Sequence, residues 1–160
     1  MNGTLPALLV AAAFGIAVAY APLASRWIGM LAFVVAATLI AFVPIPAGWS
    51  ERVHLGCWIA IVTCCIRIHF PGAIGTRGAV VLAIAAGAVG GSVDSLQNMR
   101  TGVALLALIA TATCFASRAA ASCMPLAPRI LSSWLIAVAL LAATLQSLPV
   151  TPGYLPDHLE

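Results

Sequence analysis

The sequence predicts an all-α membrane protein, a polytopic bundle of about six transmembrane helices. Apolar residues make up 63% of the 160-residue chain and charged residues only 7%, and the mean hydropathy is +1.13. Soluble domains usually carry about 25% charged residues, which cover their surface. Lipid is therefore the solvent that this composition suits. The second observation is that the apolar residues form long uncharged runs, separated by short segments rich in proline or charge.

These runs predict the transmembrane helices, because a bilayer core about 30 Å thick needs roughly 20 helical residues. The predicted spans form three hairpins and a single transmembrane domain over residues 1–148, followed by a short proline-rich extramembrane tail over residues 149–160. The spans are Leu5–Leu23, Trp27–Ile45, Val53–Phe70, Gly78–Leu96, Gly102–Ser117 and Ile130–Leu148. The third and fourth spans reach full length only if Arg67 and Asp94 lie at the interface. Otherwise the count falls to about four or five.

The placement of arginine predicts an orientation. All seven basic residues are arginines, and five of them flank the breaks after the first, third and fifth spans: Arg26, Arg67, Arg77, Arg118 and Arg129. The opposite side has Arg52, Arg100 and all four acidic residues. Because positive residues concentrate on the cytoplasmic side, we expect both termini outside the cytoplasm, in a bacterial inner (plasma) membrane. No basic run could follow a phosphate backbone, so nucleic acid is not an expected partner.

Three of these arginines indicate an internal period. Arg26, Arg77 and Arg129 each precede an even-numbered span, at spacings of 51 and 52 residues. Any chain built of equal hairpins would show such spacing, and ancestral triplication is the alternative explanation.

A stripe of small residues on the fourth span predicts close helix packing. Ala79, Ala83, Gly87 and Gly91 recur at every fourth position. In lipid, helices associate by close contact between small residues rather than by hydrophobic burial. The stripe therefore predicts that the fourth helix lies at the centre of the bundle, or at a seam with a second copy or another membrane subunit. A pore-lining or hinge role is the alternative.

The best candidate for an ion or solute site is Asp94, because ionisable groups within membranes are costly and usually functional. Ser92 and Ser95 supply polar groups on the same helix, and His54 supplies one on the third span. A carboxylate beside closely packed backbone could bind a cation or relay a proton. The alternative is that Asp94 faces water at the helix end or pairs with Arg100.

Cysteines give a weaker hypothesis of a metal site, and the sequence leaves any cofactor undetermined. Cys64, Cys65, Cys114 and Cys123 all fall toward the predicted cytoplasmic end, where thiols stay reduced, so no structural disulfide is expected. Clustered thiolates would suit soft ions such as Cu(I), Zn(II) or Hg(II). Buried cysteine is also an ordinary small apolar residue in helices, which is the alternative explanation.

Three functions are compatible with the sequence. The leading hypothesis is a transporter, channel or transport component for an ion or small solute. The second is a non-catalytic membrane subunit, meaning an assembly, immunity or scaffold protein that acts through a membrane partner. A membrane-embedded enzyme is third, because the sequence contains no nucleotide-binding or metalloprotease motif and pairs no nucleophile with an adjacent base.

Overall fold

The computed structural model describes residues 4–70, 74–97, 102–124 and 126–148. Within these residues the predicted all-α fold is confirmed, and five of the helices are long and apolar enough to cross a membrane. The helices are α1 (Leu5–Ala19), α2 (Leu23–Ala41), α3 (Ser50–His69), α4 (Thr76–Gln97), α5 (Gly102–Cys123) and α6 (Ala127–Ser147), with a short 3₁₀ helix (Ala47–Trp49) before α3. The predicted tail, residues 149–160, lies outside the described residues.

The largest differences from the predicted spans are at the first break and at the end of α5. The first span was expected to reach Leu23, but α1 ends at Ala19 and is about 22 Å long, shorter than a bilayer core. Helix α2 begins directly after Pro22, because the fixed φ of proline (−55° here) allows a helix to start at the next residue. Helix α5 continues six residues past the predicted Ser117, through an alanine-rich segment of high helix propensity.

The centre of the bundle is occupied by α1, and the prediction that the fourth helix lies there is wrong. Six side chains on one face of α1 are fully buried: Val10, Ala11, Ala13, Phe14, Ala17 and Val18. On the opposite face, Ile16 and Ala19 are at most 4% exposed. The other five α-helices all pack against it. The physical reason is that α1 has no polar residue between Leu5 and Ala19, and a helix that is apolar all round is buried. Helix α4, in contrast, exposes Val81 and Ile84 on its outer side.

The helices around α1 follow the order α2, α4, α3, α6 and α5. Helices α2 and α4 run parallel, because Ser25 and Thr76 share a hydrogen bond of 2.8 Å near their starts, and Ser95 donates to the Val43 carbonyl near their ends. These pairs are 51 and 52 residues apart, which are also the spacings of the arginines. The 51-residue spacing from Arg26 to Arg77 therefore corresponds to two helices that pack side by side in parallel, whereas the 52-residue spacing from Arg77 to Arg129 leads to α6, which does not adjoin α4 in this order. Whether it reflects triplication stays a prediction.

The two ends of the bundle differ in charge. At one end, the last residues of α3 meet the first residues of α6 through His69 and Ser132, and Arg129 lies near Tyr20, which follows α1. Burial raises the pKa of Tyr20, and the positive charge of Arg129 partly opposes that shift. The five arginines assigned to one side by sequence belong to this end, which we call the arginine end. Which end faces the cytoplasm stays a prediction.

The outer surface is apolar, as expected for a protein surrounded by lipid. Large hydrophobic side chains are exposed along the outer face of every helix from α2 to α6. On α2 this face consists of Leu23, Trp27, Leu31, Val35 and Leu39. An exposed apolar area of this extent is unusual on soluble monomers. The fold and surface together define the class of this protein: it is an integral membrane protein built as a helical bundle.

Candidate functional site

The carboxylate of Asp94 lies against the N-terminus of α5. Asp94 is only 9% exposed, its Oδ1 contacts Gly102, and the backbone N–H of Val103 lies beside the carboxylate. The first N–H groups of a helix have no partner within the helix, and its N-terminal end favours negative charge. Asp94 therefore acts as a cap that α4 supplies to α5. The carboxylate that the sequence predicted to bind an ion or solute is thus in contact with the start of α5.

The other three candidates for an ion or solute site bond to backbone carbonyl oxygens. The Ser92 hydroxyl donates to the Ala88 carbonyl at 2.8 Å, and the Ser95 hydroxyl donates to the Val43 carbonyl at 2.5 Å. His54 Nδ1 lies 2.6 Å from the Ser50 carbonyl oxygen, so this nitrogen carries the proton and donates. All four candidates belong to the end opposite the arginine end. Ser92, Ser95 and His54 thus each bond to a different backbone carbonyl.

The four candidate cysteines are divided between two helices that the central helix keeps apart. Cys64 and Cys65 are buried on α3, and Cys114 is buried on α5, while Cys123 is exposed at the end of α5. Helix α1 packs against both α3 and α5 and lies between them. Among the described residues, no three His, Cys, Asp or Glu side chains come together as a metal site. The sequence pattern placed α4 at the centre, so this separation by α1 was not predicted.

The small residues of α4 lie against α2. Ala79 and Ala83 are fully buried, and Gly87 and Gly91 face the backbone of α2. A Cβ atom on Gly87 would lie 2.5 Å from the carbonyl oxygen of Phe33, and one on Gly91 would contact the backbone of Ala37. The stripe is thus occupied by a neighbour within the same chain. None of the four residues of the stripe is therefore left on the outer surface for a second copy.

A histidine–serine contact at the arginine end was not expected from the sequence, which assigned no partner to Ser132. His69 Nε2 lies 3.0 Å from Ser132 Oγ and 3.4 Å from Ser133 Oγ, and both serines donate to the Arg129 carbonyl. Ser132 can donate to the Arg129 carbonyl and accept from His69 Nε2 at the same time. Ser132 is fully buried, and the two acidic residues of the described chain, Glu51 and Asp94, belong to the opposite end, so neither orients His69 as a base. The contact joins the end of α3 to the start of α6.

An apolar groove lies at the end opposite the arginine end, where α2, the 3₁₀ helix, α3 and α4 meet. Its volume is about 490 Å³, and its lining includes Ile40, Val43, Ile45, Val53, Val89 and Trp49. Arg52 is also part of the lining, with its guanidinium carbon 5.3 Å from the centre of the Trp49 ring. Such a distance allows a cation–π contact. The sequence did not predict this groove, which we call the Trp49 groove.

Comparisons of this chain with models of protein families, with curated proteins and with solved structures found no match.

Proposed function

We propose that this protein is a non-catalytic membrane subunit of the bacterial inner membrane, an assembly or scaffold protein that acts by contacting another membrane protein. In this proposal the arginine end faces the cytoplasm, as the bias of five arginines against two favours. The observation that supports the subunit function most strongly is the dry centre of the bundle. Helix α1 fills that centre with side chains such as Val10, Phe14 and Val18, each with no exposed surface.

The same observation weighs against the leading hypothesis from the sequence, transport. A solute pathway through a bundle needs polar groups that line a continuous cavity. The centre is apolar along α1, and Phe14 closes it further by stacking on Phe33 of α2, with ring centres 4.8 Å apart. The polar groups of Asp94, Ser92 and Ser95 are bonded at one end of the bundle. Transport by this chain stays a prediction.

The surface of α5 is the best candidate for the partner contact. Its exposed face combines small and large residues: Ala104, Leu105, Leu108, Ala112, Phe115, Ala116 and Ala119. The exposed face of α2, in contrast, has large side chains at every fourth position from Leu23 to Leu39. Small residues on a lipid-facing helix allow a second helix to approach closely, and this approach is the main source of helix association in membranes. The α5 face therefore suits a transmembrane helix of another protein.

Site-specific photocrosslinking in native membranes tests this proposal. A photoreactive amino acid replaces Leu108 in the full chain, and the matched control carries it at Val35 on the lipid-facing surface of α2. We expect a discrete adduct with one membrane protein from position 108 and only lipid adducts from position 35. A second variant adds Ala112→Leu and Ala116→Leu, which should remove the protein adduct while thermal unfolding in detergent stays unchanged.

Two results would overturn the proposal. One is lipid labelling alone from position 108, matching position 35. The other is ion or solute flux into liposomes containing the purified protein, lost in Asp94→Asn while thermal unfolding stays as in the wild type. That second result would restore the transport hypothesis.

A further inference from the structure

We propose that the Trp49 groove binds an acyl chain of an anionic phospholipid, whose headgroup phosphate is held by Arg52. This inference is independent of the subunit function, because it concerns a different surface of the molecule. It follows from three properties of the groove: its apolar interior, its position at the membrane interface, and the charge at its rim.

The interior of the groove suits a hydrocarbon chain. A volume of about 490 Å³ lies within the range of about 300–1,000 Å³ that is usual for small-molecule sites. The lining combines aliphatic side chains of three helices, and the hydroxyl of Ser92 already donates to the Ala88 carbonyl. A polar solute would gain no hydrogen bond from that hydroxyl proton. An acyl chain would bury apolar surface without leaving a polar group unpaired.

The groove also lies at the depth where a lipid headgroup and its chains meet. Its outer part is formed by the connection between α2 and α3, which includes Pro44, Pro46 and Trp49. Tryptophan is enriched at the level of the headgroups, and Trp49 is 53% exposed. The inner part, at Gly56 and Val89, is one turn or more deeper along α3 and α4. A chain entering from the interface would therefore run into the groove in the direction of the hydrocarbon core.

The rim supplies a positive charge that fits an anionic headgroup. Arg52 is exposed and lies over the Trp49 ring, which holds the guanidinium beside the groove. Arginine binds phosphate through paired N–H groups in a fixed geometry. The nearest acidic residue in the sequence, Glu51, makes the surroundings less attractive for a free anion. An amphiphile gains from both the apolar interior and the arginine, so the structure favours phospholipid over free phosphate.

Native mass spectrometry of the full chain, released from detergent, tests the proposal with two named lipids. The protein is incubated with phosphatidylglycerol or with phosphatidylcholine of identical acyl chains, and retained lipids are counted. We expect the wild type to retain phosphatidylglycerol preferentially. Arg52→Gln should reduce this preference by about fivefold, the effect of one arginine near an anionic headgroup. Arg118→Gln removes an exposed arginine from the other end of the bundle and should leave the preference unchanged.

Variants of Gly56 test the apolar interior. A Cβ atom on Gly56 would lie 3.7 Å from a Val89 methyl, an ordinary contact, so Gly56→Ala should fold and retain lipid. Gly56→Leu extends into the groove and should remove retention of both lipids. Should Gly56→Leu fail to fold, phosphatidylglycerol with a photoreactive acyl chain is crosslinked to the wild type, and adducts are expected within residues 40–56 or at Val89 and Ser92.

Several outcomes would overturn the proposal. These are equal retention of the two lipids by the wild type, equal effects of Arg52→Gln and Arg118→Gln, and unchanged retention in a folded Gly56→Leu variant. Acyl-chain adducts spread evenly over the outer faces of α2 and α6 would also overturn it, because they would indicate ordinary boundary lipid. A failure of the α5 crosslinking experiment would leave all of these measurements unaffected.

Discussion

Two pairs of neighbouring helices in this bundle are held together by different means. Helices α2 and α4 run parallel, and Gly87 and Gly91 bring the two backbones into contact. Helices α3 and α6 run antiparallel, and side-chain hydrogen bonds join them at two levels. Trp58 Nε1, at the middle of α3, donates to Gln146 Oε1 near the end of α6 at 3.1 Å, and His69 contacts Ser132 at the arginine end.

The two kinds of contact differ in how strongly they stabilise helix association in lipid. Inside a membrane, helix association gains nothing from moving apolar surface out of water. Close packing and hydrogen bonds between the helices are therefore the interactions that hold them together. Hydrogen bonds between transmembrane helices contribute on average about 0.6 kcal/mol and at most about 1.7 kcal/mol. Packing of backbone on backbone adds many small contacts that a single added side chain would abolish together. We therefore expect that a larger side chain between α2 and α4 lowers the free energy of unfolding strongly. Removal of a polar group between α3 and α6 should lower it only moderately.

Gly87→Leu should have the largest effect. The added side chain would meet the Phe33 carbonyl oxygen, 2.5 Å from the Cβ position, so α2 and α4 must separate. We expect a loss of about 3 kcal/mol or more in the free energy of unfolding, at or above the upper range for overpacking. Thermal or denaturant unfolding in detergent micelles measures it. Val81→Leu is the matched control, because Val81 is 65% exposed on the outer side of the same helix. Wild-type stability in Gly87→Leu would refute the close α2–α4 contact.

The stripe of small residues on α4 also illustrates how much of the fold the sequence predicted. Hydropathy located the transmembrane helices, because a bilayer imposes a length on every apolar run. Small residues identified α4 as closely packed, but they could not name α2 as its neighbour. The run from Leu5 to Ala19 is apolar on every side, which is typical of a buried helix and indicates the central position of α1.

The candidate site was less predictable than the fold. Asp94 stood out as an intramembrane carboxylate, yet its partner is the start of α5, and a helix start is not visible as a ligand in a sequence. The His69–Ser132 contact and the Trp49 groove depend on which helices are neighbours. Hydrophobic periodicity gives the face of a helix that is buried, but not the helix that covers it.

Trp58→Phe should have an intermediate effect on the free energy of unfolding, and it tests the contact between α3 and α6. Trp58 is 6% exposed, and phenylalanine keeps most of the apolar contact while removing the N–H group that binds Gln146. We expect a loss of about 1–2 kcal/mol, from one hydrogen bond and a smaller ring. A double-mutant cycle with Gln146→Leu isolates the bond, whose coupling should be near 0.6 kcal/mol. A coupling above about 2 kcal/mol would mean that polar contacts dominate this pair.

Ser25→Ala should have the smallest effect, although it removes a hydrogen bond between the helices that pack most closely. Ser25 Oγ and Thr76 Oγ1 are 2.8 Å apart at the arginine end, and both hydroxyls can rebond to backbone carbonyls of their own helices. If close packing alone holds α2 against α4, the loss should stay below about 0.6 kcal/mol. The same unfolding measurement applies, with Thr76→Val as the reciprocal variant. Losses above about 1.5 kcal/mol in both variants would show that the α2–α4 pair also depends on polar bonding, and the contrast with α3–α6 would disappear.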